Sequence, residues 1–292
     1  MKKFRIHPPE IFFIAAVMVF LFGTMAFTVL SMEENYSFYE NRNLAEVPAF
    51  TVSGMMDGSW FSDVETSLQD HAAGRNIALK IKTWLNLYVL RRPVVNDVVI
   101  ADKDLLLPWN DYEYPYDTAW IQSKAETITA SLKSHAELTE SYGGYFLYAA
   151  IPCQYVCFAE EYPDYLNNRA DYTEKSTSAL FAGLTEAGVP YLDMREIYNE
   201  QGSLRSTSSL VDNHYSITGA LAAYRAITEK WNADTNSTHP LPDAADYETV
   251  TLPNPYLGSR TRKLCGLWES EEKLQILLPK EEIPFKRYEN GK

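Results

Sequence analysis

The segment TAWIQSKAETITASLKSHAELTESYGGYFLYAAIP, residues 118–152, indicates the fold. Apolar residues recur at helical spacing through its first part, and the pair Gly143-Gly144 supplies a C-terminal stop, so the pattern predicts a helix that ends there. The run YFLYAAIP (145–152) follows and is almost continuously apolar until Pro152. Such a run is typical of a parallel strand that is covered on both faces.

The chain after this segment repeats the same order of elements. TEKSTSALFAGLTEAG (173–188) predicts a second helix ending at Gly188, and VPYLDM (189–194) predicts a second short strand. SITGALAAYRAITEKW (216–231) predicts an amphipathic helix that either Ser216 or Thr218 can cap. Alternating helices and strands predict an α/β fold with parallel strands, whose functional residues gather at the carboxyl ends of the strands.

The part before this region predicts helices and then short strands. Residues 60–90 carry apolar side chains at helical spacing, and Gly74 is expected to separate two helices. VVNDVVIADKDLLLPW (94–109) clusters β-branched residues around turn formers, which predicts one or two short strands.

The N-terminus predicts a membrane anchor. Ile11 to Leu30 contains no charged residue, and about 20 helical residues at ~1.5 Å each span the ~30 Å hydrocarbon layer. Basic residues precede this run and glutamates follow it, which predicts a cytoplasmic N-terminus. A cleaved signal peptide is the alternative, although its apolar region is normally shorter. We expect a cytoplasmic N-terminus (1–10), a transmembrane anchor (11–31), a stalk (32–59) and an extracytoplasmic domain (60–292).

Composition limits the class of partner. The formal net charge is −13, from 39 acidic and 26 basic residues, which argues against nucleic acid because its binders need a basic face. The sequence contains no P-loop, no G-x-G-x-x-G and no metal-ligand spacing, so we expect no cofactor and no metal. The 20 tyrosines and 6 tryptophans suit stacking on sugar rings, and they suit ordinary packing equally well.

Several reactive residue types have structural interpretations. Cys153, Cys157 and Cys265 are odd in number, so at most one disulfide forms within the chain, and their spacing fits neither a redox motif nor a zinc site. Asp70, His71 and Arg75 are expected to cap and bridge a helix rather than to do chemistry.

The stretch VDNHYSITGALAAY (211–224) is the candidate functional motif. Asp212 and His214 are two residues apart, so in an extended segment both side chains leave the same face. The carboxylate can then accept from one imidazole nitrogen and fix its tautomer, while the other nitrogen stays free to take a proton from a nucleophile. The pair can be two thirds of a serine-type triad. The alternative is a capping aspartate beside a surface or core histidine.

This stretch resembles the DHHW segment of the bacterial DHHW proteins and the D-x-H-W segment of alginate O-acetyltransferase-like proteins of the AlgJ and AlgX type. Both groups belong to the wider SGNH hydrolases. Other segments resemble the same families in the same order: ENRNLAEVPAF (40–50), LQDHAAGRNIAL (68–79), VVIADKDLLLPWND (98–111) and AIPCQYVCFAEEYPDYL (150–166).

The resemblance implies a fold, a site and a function. The fold would be SGNH-hydrolase-like (flavodoxin-like), a three-layer arrangement with helices on both faces of a parallel sheet. Asp212 matches the triad acid and His214 the triad base, and Tyr215 stands where the family has a tryptophan that walls the substrate site. Asn213 replaces the first histidine of DHHW. The function would be O-acetyl transfer or ester cleavage on a cell-envelope or secreted polysaccharide, with other envelope acetylation proteins as candidate partners.

The nucleophile departs from the family pattern. In the family it is a serine in a turn well after the D-x-H motif, whereas this sequence stops on YENGK, where such a turn is expected. Ser259 and Ser270 are poor substitutes, because neither lies at a recognisable strand-to-helix elbow. We therefore expect the sequence to lack the nucleophile and the last part of the fold. The alternative function is a non-catalytic surface protein that binds glycan or protein.

Overall fold

The computed structural model describes residues 8–30, 35–109, 117–200, 204–281 and 289. Helices and strands are mixed, and the chain divides into two compact units: residues 1–92 with 262–267, and residues 93–261 with 268–292. This division differs from the predicted boundary at residue 60. Residues 1–7 of the predicted cytoplasmic N-terminus, residue 31 of the predicted anchor and residues 32–34 of the predicted stalk lie outside the described residues.

The first unit begins with the long apolar helix α1, Pro8–Leu30. Pro8–Thr28 is long and apolar enough to cross a membrane, by length and composition. The hairpin of β1 (Tyr36–Ser37) and β2 (Arg42–Asn43) and the helix α2 (Val52–Asp57) follow. Part of the predicted stalk is therefore regular structure.

Two more helices complete the first unit. They are α3 (Ser59–Asp70) and α4 (Arg75–Trp84), and a π-helical turn, Leu85–Val89, extends α4. Gly74 has a φ of 74° between them, a left-handed conformation that favours glycine, which confirms the predicted break.

Asp70 and Arg75 tie this unit together. Asp70 accepts hydrogen bonds from Arg42 Nη1 at 2.7 Å and from the amide of Ala45 at 2.9 Å. Arg75 pairs with Glu40 at 2.5 Å. The Arg42 hydrogen bonds outweigh burial and hold the pKa of Asp70 well below its ordinary value. Asp70 thus bridges the end of α3 to β2 and to Ala45.

The second unit starts with an antiparallel sheet of three strands, β3 (Val94–Val95), β4 (Val98–Asp102) and β5 (Leu105–Pro108). Asn96 and Asp97, which join β3 to β4, have φ angles of 50° and 60°. Two left-handed residues in a two-residue loop are what a tight hairpin needs, so these strands are antiparallel.

The predicted alternation of helices and strands follows. The helices α5 (Thr118–Ser141) and α7 (Ala170–Ala187) precede the strands β6 (Tyr148–Ala150) and β7 (Tyr191–Asp193), and a short helix, α6 (Gln154–Cys157), lies between β6 and α7. The strands pair in parallel, with Tyr148 opposite Tyr191 and Ala150 opposite Asp193. The glycine stops are confirmed: α5 ends just before Gly143 and α7 just before Gly188.

The parallel sheet is smaller than predicted. Among the described strands parallel pairing is confined to β6 and β7, and the other sheets are antiparallel. Strand β6 is shorter than the predicted run 145–151 and only half-buried, rather than covered on both faces. The pairings of the described strands therefore do not confirm the three-layer arrangement that the resemblance implies.

The remaining elements are α8 (Met194–Glu200), α9 (Ile217–Thr235), β8 (Tyr247–Pro255), α10 (Ser259–Lys263) and β9 (Lys273–Pro279). Ser216 caps α9, because its Oγ accepts from the amide of Gly219 at 3.2 Å. A Cβ at Gly219 would lie 2.3 Å from the carbonyl oxygen of Thr207, so glycine permits this close approach. The strands β8 and β9 pair antiparallel, and ETVTL (248–252) in β8 alternates as a strand does.

Two apolar clusters are buried among the described residues of the second unit. One joins Val99 and Leu107 to Cys157 and Phe158, and the other joins Met194 to Ala226. All three cysteines are free, and Cys157 and Cys265 are buried. Cys157 therefore serves as a small core residue, as expected.

Candidate functional site

The D-x-H motif lies in a tight bend just before α9. Ser208 and Tyr215 form an antiparallel bridge, and residues 210–214 turn between them. The amide of Ser209 donates to the carbonyl of His214 at 3.1 Å and closes the bend. The expected extended conformation is therefore wrong. The expected contact is nevertheless present, because Nδ1 of His214 lies 2.8 Å from Oδ2 of Asp212.

The two side chains of this pair have opposite environments. The side chain of Asp212 is 5% exposed, whereas that of His214 is 74% exposed. Oδ1 of Asp212 accepts from the amide of Ser259 at 2.9 Å, and Oδ2 accepts from the hydroxyl of Tyr256 at 2.6 Å. The buried acid is thus fixed from three directions while the imidazole faces solvent.

The hydrogen bonds keep Asp212 ionised. Burial by itself raises the pKa of Asp212, but the hydrogen bonds from Ser259, Tyr256 and His214 outweigh burial and hold the pKa well below its ordinary value. An ionised carboxylate only accepts hydrogen bonds. Nδ1 of His214 must therefore carry the shared hydrogen, and in the neutral imidazole Nε2 is left with a free lone pair that can accept a proton.

A buried amide and a buried guanidinium hold the carbonyl groups of the bend. Nε2 of Gln154 donates to the carbonyl of Ser209 at 2.7 Å and also to the carbonyl of Asp212. Arg260 donates to the same Asp212 carbonyl and to Oε1 of Gln154. Burial lowers the pKa of Arg260 to about 10, so it remains a cation at neutral pH.

A carboxylate holds the amide groups of the same bend. Oε2 of Glu272 accepts from the hydroxyl of Ser209 at 2.9 Å and from the amides of Leu210 and Val211 at 3.0 and 3.1 Å. Burial raises the pKa of Glu272 despite these three bonds. The bend is therefore held by a cation on its carbonyl groups and a carboxyl group on its amides.

Gly258 allows residues 256–260 to pass close to the bend. A Cβ at this position would lie 2.4 Å from the carbonyl oxygen of Val211. No side chain fits at that distance, so glycine is needed where residues 256–260 pass the bend.

A cleft of about 510 Å³ opens beside the pair. Asp212, His214 and Tyr215 line it, with Tyr256 and Glu272. Tyr215 is exposed at the cleft, next to His214 in sequence. The structure thus brings together the three residues that the sequence singled out.

The two serines considered as nucleophiles have other contacts. Ser259 supports Asp212 through its amide, and its Oγ donates to Oδ1 of Asn213 at 3.4 Å. Ser270 is buried, and its Oγ accepts from the amide of Glu272 at 3.1 Å. Among the described residues, no hydroxyl group is hydrogen-bonded to Nε2 of His214.

Sequence reasoning missed four supporting residues. Gln154 was detectable, because it follows the carboxyl end of the predicted strand β6, where functional residues gather. Tyr256, Arg260 and Glu272 lie far along the chain in segments without a motif. They carried no signal in the sequence.

Comparison with known proteins gives partial likenesses among solved structures. No family model matches this sequence, and no curated protein matches it. PatB1 of Bacillus cereus is similar over 63% of this chain and 58% of its own, with 16% identity and a TM-score of 0.46. PatB1 with a sulfonyl adduct is similar over 61% and 56%, with 16% identity and a TM-score of 0.43.

The O-acetyltransferase domain of AlgJ from Pseudomonas putida is similar over 64% of this chain and 67% of its own, with 17% identity and a TM-score of 0.49. This chain spans less than two thirds of the length of PatB1. Likeness at this level does not establish a shared chemistry, so the function has to be inferred from the site itself.

Proposed function

We propose that this chain is a membrane-anchored, extracytoplasmic SGNH-like protein of the O-acetyltransferase or esterase type, and that it acts on a polysaccharide. One observation carries the proposal: an exposed imidazole is oriented by a buried, ionised aspartate at a cleft of about 510 Å³. An aspartate that fixes the tautomer of a solvent-facing histidine has the arrangement of the acid and base in a serine-type triad. The resemblance to the DHHW and AlgJ-type proteins adds the acyl chemistry.

In this proposal His214 moves one proton. Nε2 takes the proton from a hydroxyl group as its oxygen bonds to the acyl carbon, and then gives the proton to the leaving oxygen as the acyl–oxygen bond breaks. Asp212 stabilises the imidazolium that exists between these two transfers. Tyr215 is proposed to present its ring to a sugar of the substrate, as the family's aromatic wall does.

The contacts of His214 bear on whether the described residues include the attacking hydroxyl group. Among the described residues none places a hydroxyl on Nε2, so we propose that they supply the acid and the base without the serine. Triad members act as a unit, and loss of one removes most of the rate, ~10⁶-fold in a well-studied protease. The sequence as given should therefore hydrolyse acetyl esters at background rates.

The surroundings of the site are part of the same proposal. Helix α1 is proposed to anchor the chain in a membrane, with the N-terminus in the cytoplasm and the second unit outside. A polysaccharide of the envelope, or one that is secreted, is then the accessible substrate, and other envelope acetylation proteins are proposed partners.

A second candidate function is binding without catalysis. The absence of a hydroxyl on His214 among the described residues favours it, since a cleft with tyrosines and carboxylates can hold a sugar without reacting with it. The two functions predict different preferences. A site for acetyl chemistry should bind acetylated glycan better than deacetylated glycan, whereas simple binding should not distinguish them.

Protection from a histidine reagent tests the site without requiring turnover. Diethyl pyrocarbonate modifies exposed imidazoles, and His214 and the exposed His135 of α5 serve as the site and its matched control. Acetylated glycan is expected to slow modification of His214 and to leave that of His135 unchanged, whereas deacetylated glycan should protect less. Equal protection by both glycans would favour simple binding. If neither glycan slows the modification of His214, both proposed functions are wrong.

Hydrolysis of nitrophenyl acetate and acetylated sugars tests the nucleophile. The chain and its His214→Ala variant are expected to give equal background rates. Robust turnover that disappears with His214→Ala would place a nucleophile within the chain, and Ser259 and Ser270 would be the next residues to replace.

A further inference from the structure

The helix α4 and its π-helical extension carry an exposed apolar stripe. Ile77, Ile81, Trp84, Leu85 and Tyr88 are all exposed. At 3.6 residues per turn, Ile77, Ile81 and Trp84 lie within an arc of about 60° on one side of α4, and Leu85 and Tyr88 follow in the π-helical turn. The opposite side is packed, because Thr83 and Leu87 are buried. The stripe is therefore the outer face of an otherwise docked helix.

This helix is basic in an acidic protein. From His71 to Asn96 there are 5 basic residues and no acidic residue, although the whole chain has a net charge of −13. By helical geometry Lys80 and Lys82 lie on the two sides of the apolar stripe, and both are exposed. An apolar face flanked by lysines, with Trp and Tyr on it, has the composition of a helix that lies in a membrane interface.

The anchor reaches the start of this helix. Thr28, in the last turns of α1, is buried, and its hydroxyl accepts from the amide of Ala73 at 2.9 Å. Gly74 and the first residue of α4 follow at once. The apolar helix and the interfacial helix thus meet within the same compact unit, where α1 would leave the hydrocarbon layer.

We propose that α4 and the turn Leu85–Val89 lie on the outer leaflet of the membrane, with Ile77, Ile81 and Trp84 in the boundary between headgroups and acyl chains. The occupant of the stripe is anionic lipid, whose phosphates complement the flanking lysines. The chain is then attached by α1 and also by this helix, and the first unit lies against the bilayer. The proposal needs α1 in a bilayer but does not rest on acyl transfer, so the two can fail separately.

Quenching of tryptophan by brominated lipid tests the contact in the full chain. The protein is reconstituted in vesicles of phosphatidylcholine with about 30% phosphatidylglycerol, with and without lipids brominated near the headgroup. Trp84 is one of 6 tryptophans, and none lies in α1. Brominated lipid is therefore expected to remove a larger share of the emission in the wild type than in Trp84→Phe, by up to about one sixth of the total. Trp231→Phe, which removes an exposed tryptophan of the second unit, should keep the quenched share.

A charge substitution on the stripe gives an independent reading. Ile77→Glu with Ile81→Glu is expected to abolish the quenching of Trp84, because carboxylates leave the lipid boundary. Ile128→Glu with Leu138→Glu on α5 is the matched control, since Leu138 is 57% exposed and Ile81 is 56% exposed. Both changes are at surface positions, so circular dichroism should show folded protein.

Three results would overturn the proposal. In the first, brominated lipid does not quench Trp84 but aqueous acrylamide does. This result would mean that the stripe lies in water. In the second, neither quencher acts on Trp84. This result would mean that a second copy of the chain covers the stripe. In the third, the chain does not float with the vesicles, and the membrane anchor fails as well.

Discussion

Removal of one hydroxyl, by Tyr256→Phe, tests whether Asp212 is held as an anion. The substitution keeps the ring and deletes the 2.6 Å hydrogen bond to Oδ2 of Asp212. A hydrogen bond to a charged group contributes about 1.5–3 kcal/mol to stability. For a chain of this size, we expect the midpoint of thermal unfolding at neutral pH to fall by about 3–10 °C.

The pH dependence makes this prediction specific. The pKa of Asp212 is lower in the folded chain than in the unfolded chain, so its stabilisation is present above the unfolded pKa, near 4, and is lost as the pH falls through the folded value. The difference between wild type and Tyr256→Phe should therefore be largest at neutral pH and should shrink below about pH 4.

A buried tyrosine elsewhere in the second unit gives the control. The hydroxyl of Tyr198 donates to the neutral carbonyl of Gly219 at 3.1 Å. Tyr198→Phe should cost about 0.5–1.5 kcal/mol in the free energy of unfolding at every pH between 3 and 8. Thermal unfolding followed by circular dichroism in detergent, at pH 3, 5 and 7, measures both variants. If both variants lose the same stability at each pH, Asp212 is not a buried anion and our account of His214 fails with it.

Three further outcomes are expected. Gly258→Ala should lower the free energy of unfolding by about 1–3 kcal/mol, because its Cβ would press on the carbonyl of Val211; an unchanged thermal midpoint would contradict this. A maleimide should label Cys153 in the folded protein and spare Cys157, whose pKa is raised by burial, until denaturant is added; equal labelling of both thiols would contradict the burial. Protease added to intact cells should digest the second unit and leave an N-terminal fragment, and full protection of that unit would exclude the proposed topology.

Local patterns in the sequence predicted the helices well. The boundaries of α5 and α7 follow from a 3.6-residue period and from glycines that end each helix, and both signals lie within the segment that they describe. Strand pairing was predicted less well. The residues 145–151 are apolar enough for a central strand, yet partners from other parts of the chain decide how much of a strand forms, and only Tyr148–Ala150 pairs.

The candidate site also has a part that could be predicted from the sequence and a part that could not. The contact between Asp212 and His214 was predicted, although the prediction assumed an extended segment and the structure makes the contact within a bend. Arg260 and Glu272 could not be predicted, since they bind main-chain groups of a distant bend and any sequence has such groups. The bend itself could not be predicted either, because these distant residues hold it.

The support of the bend has a consequence for the order of events during synthesis. Its carbonyl groups are held by Gln154 and Arg260 and its amides by Glu272, so the three supports are spread over more than a hundred positions of the chain. Contacts of such long sequence separation form late, after the loops between them have closed. Asp212 and His214 leave the ribosome well before Arg260 and Glu272. The nascent chain therefore lacks these supports until Glu272 has been synthesised, and the bend that positions His214 is expected to form only after that point.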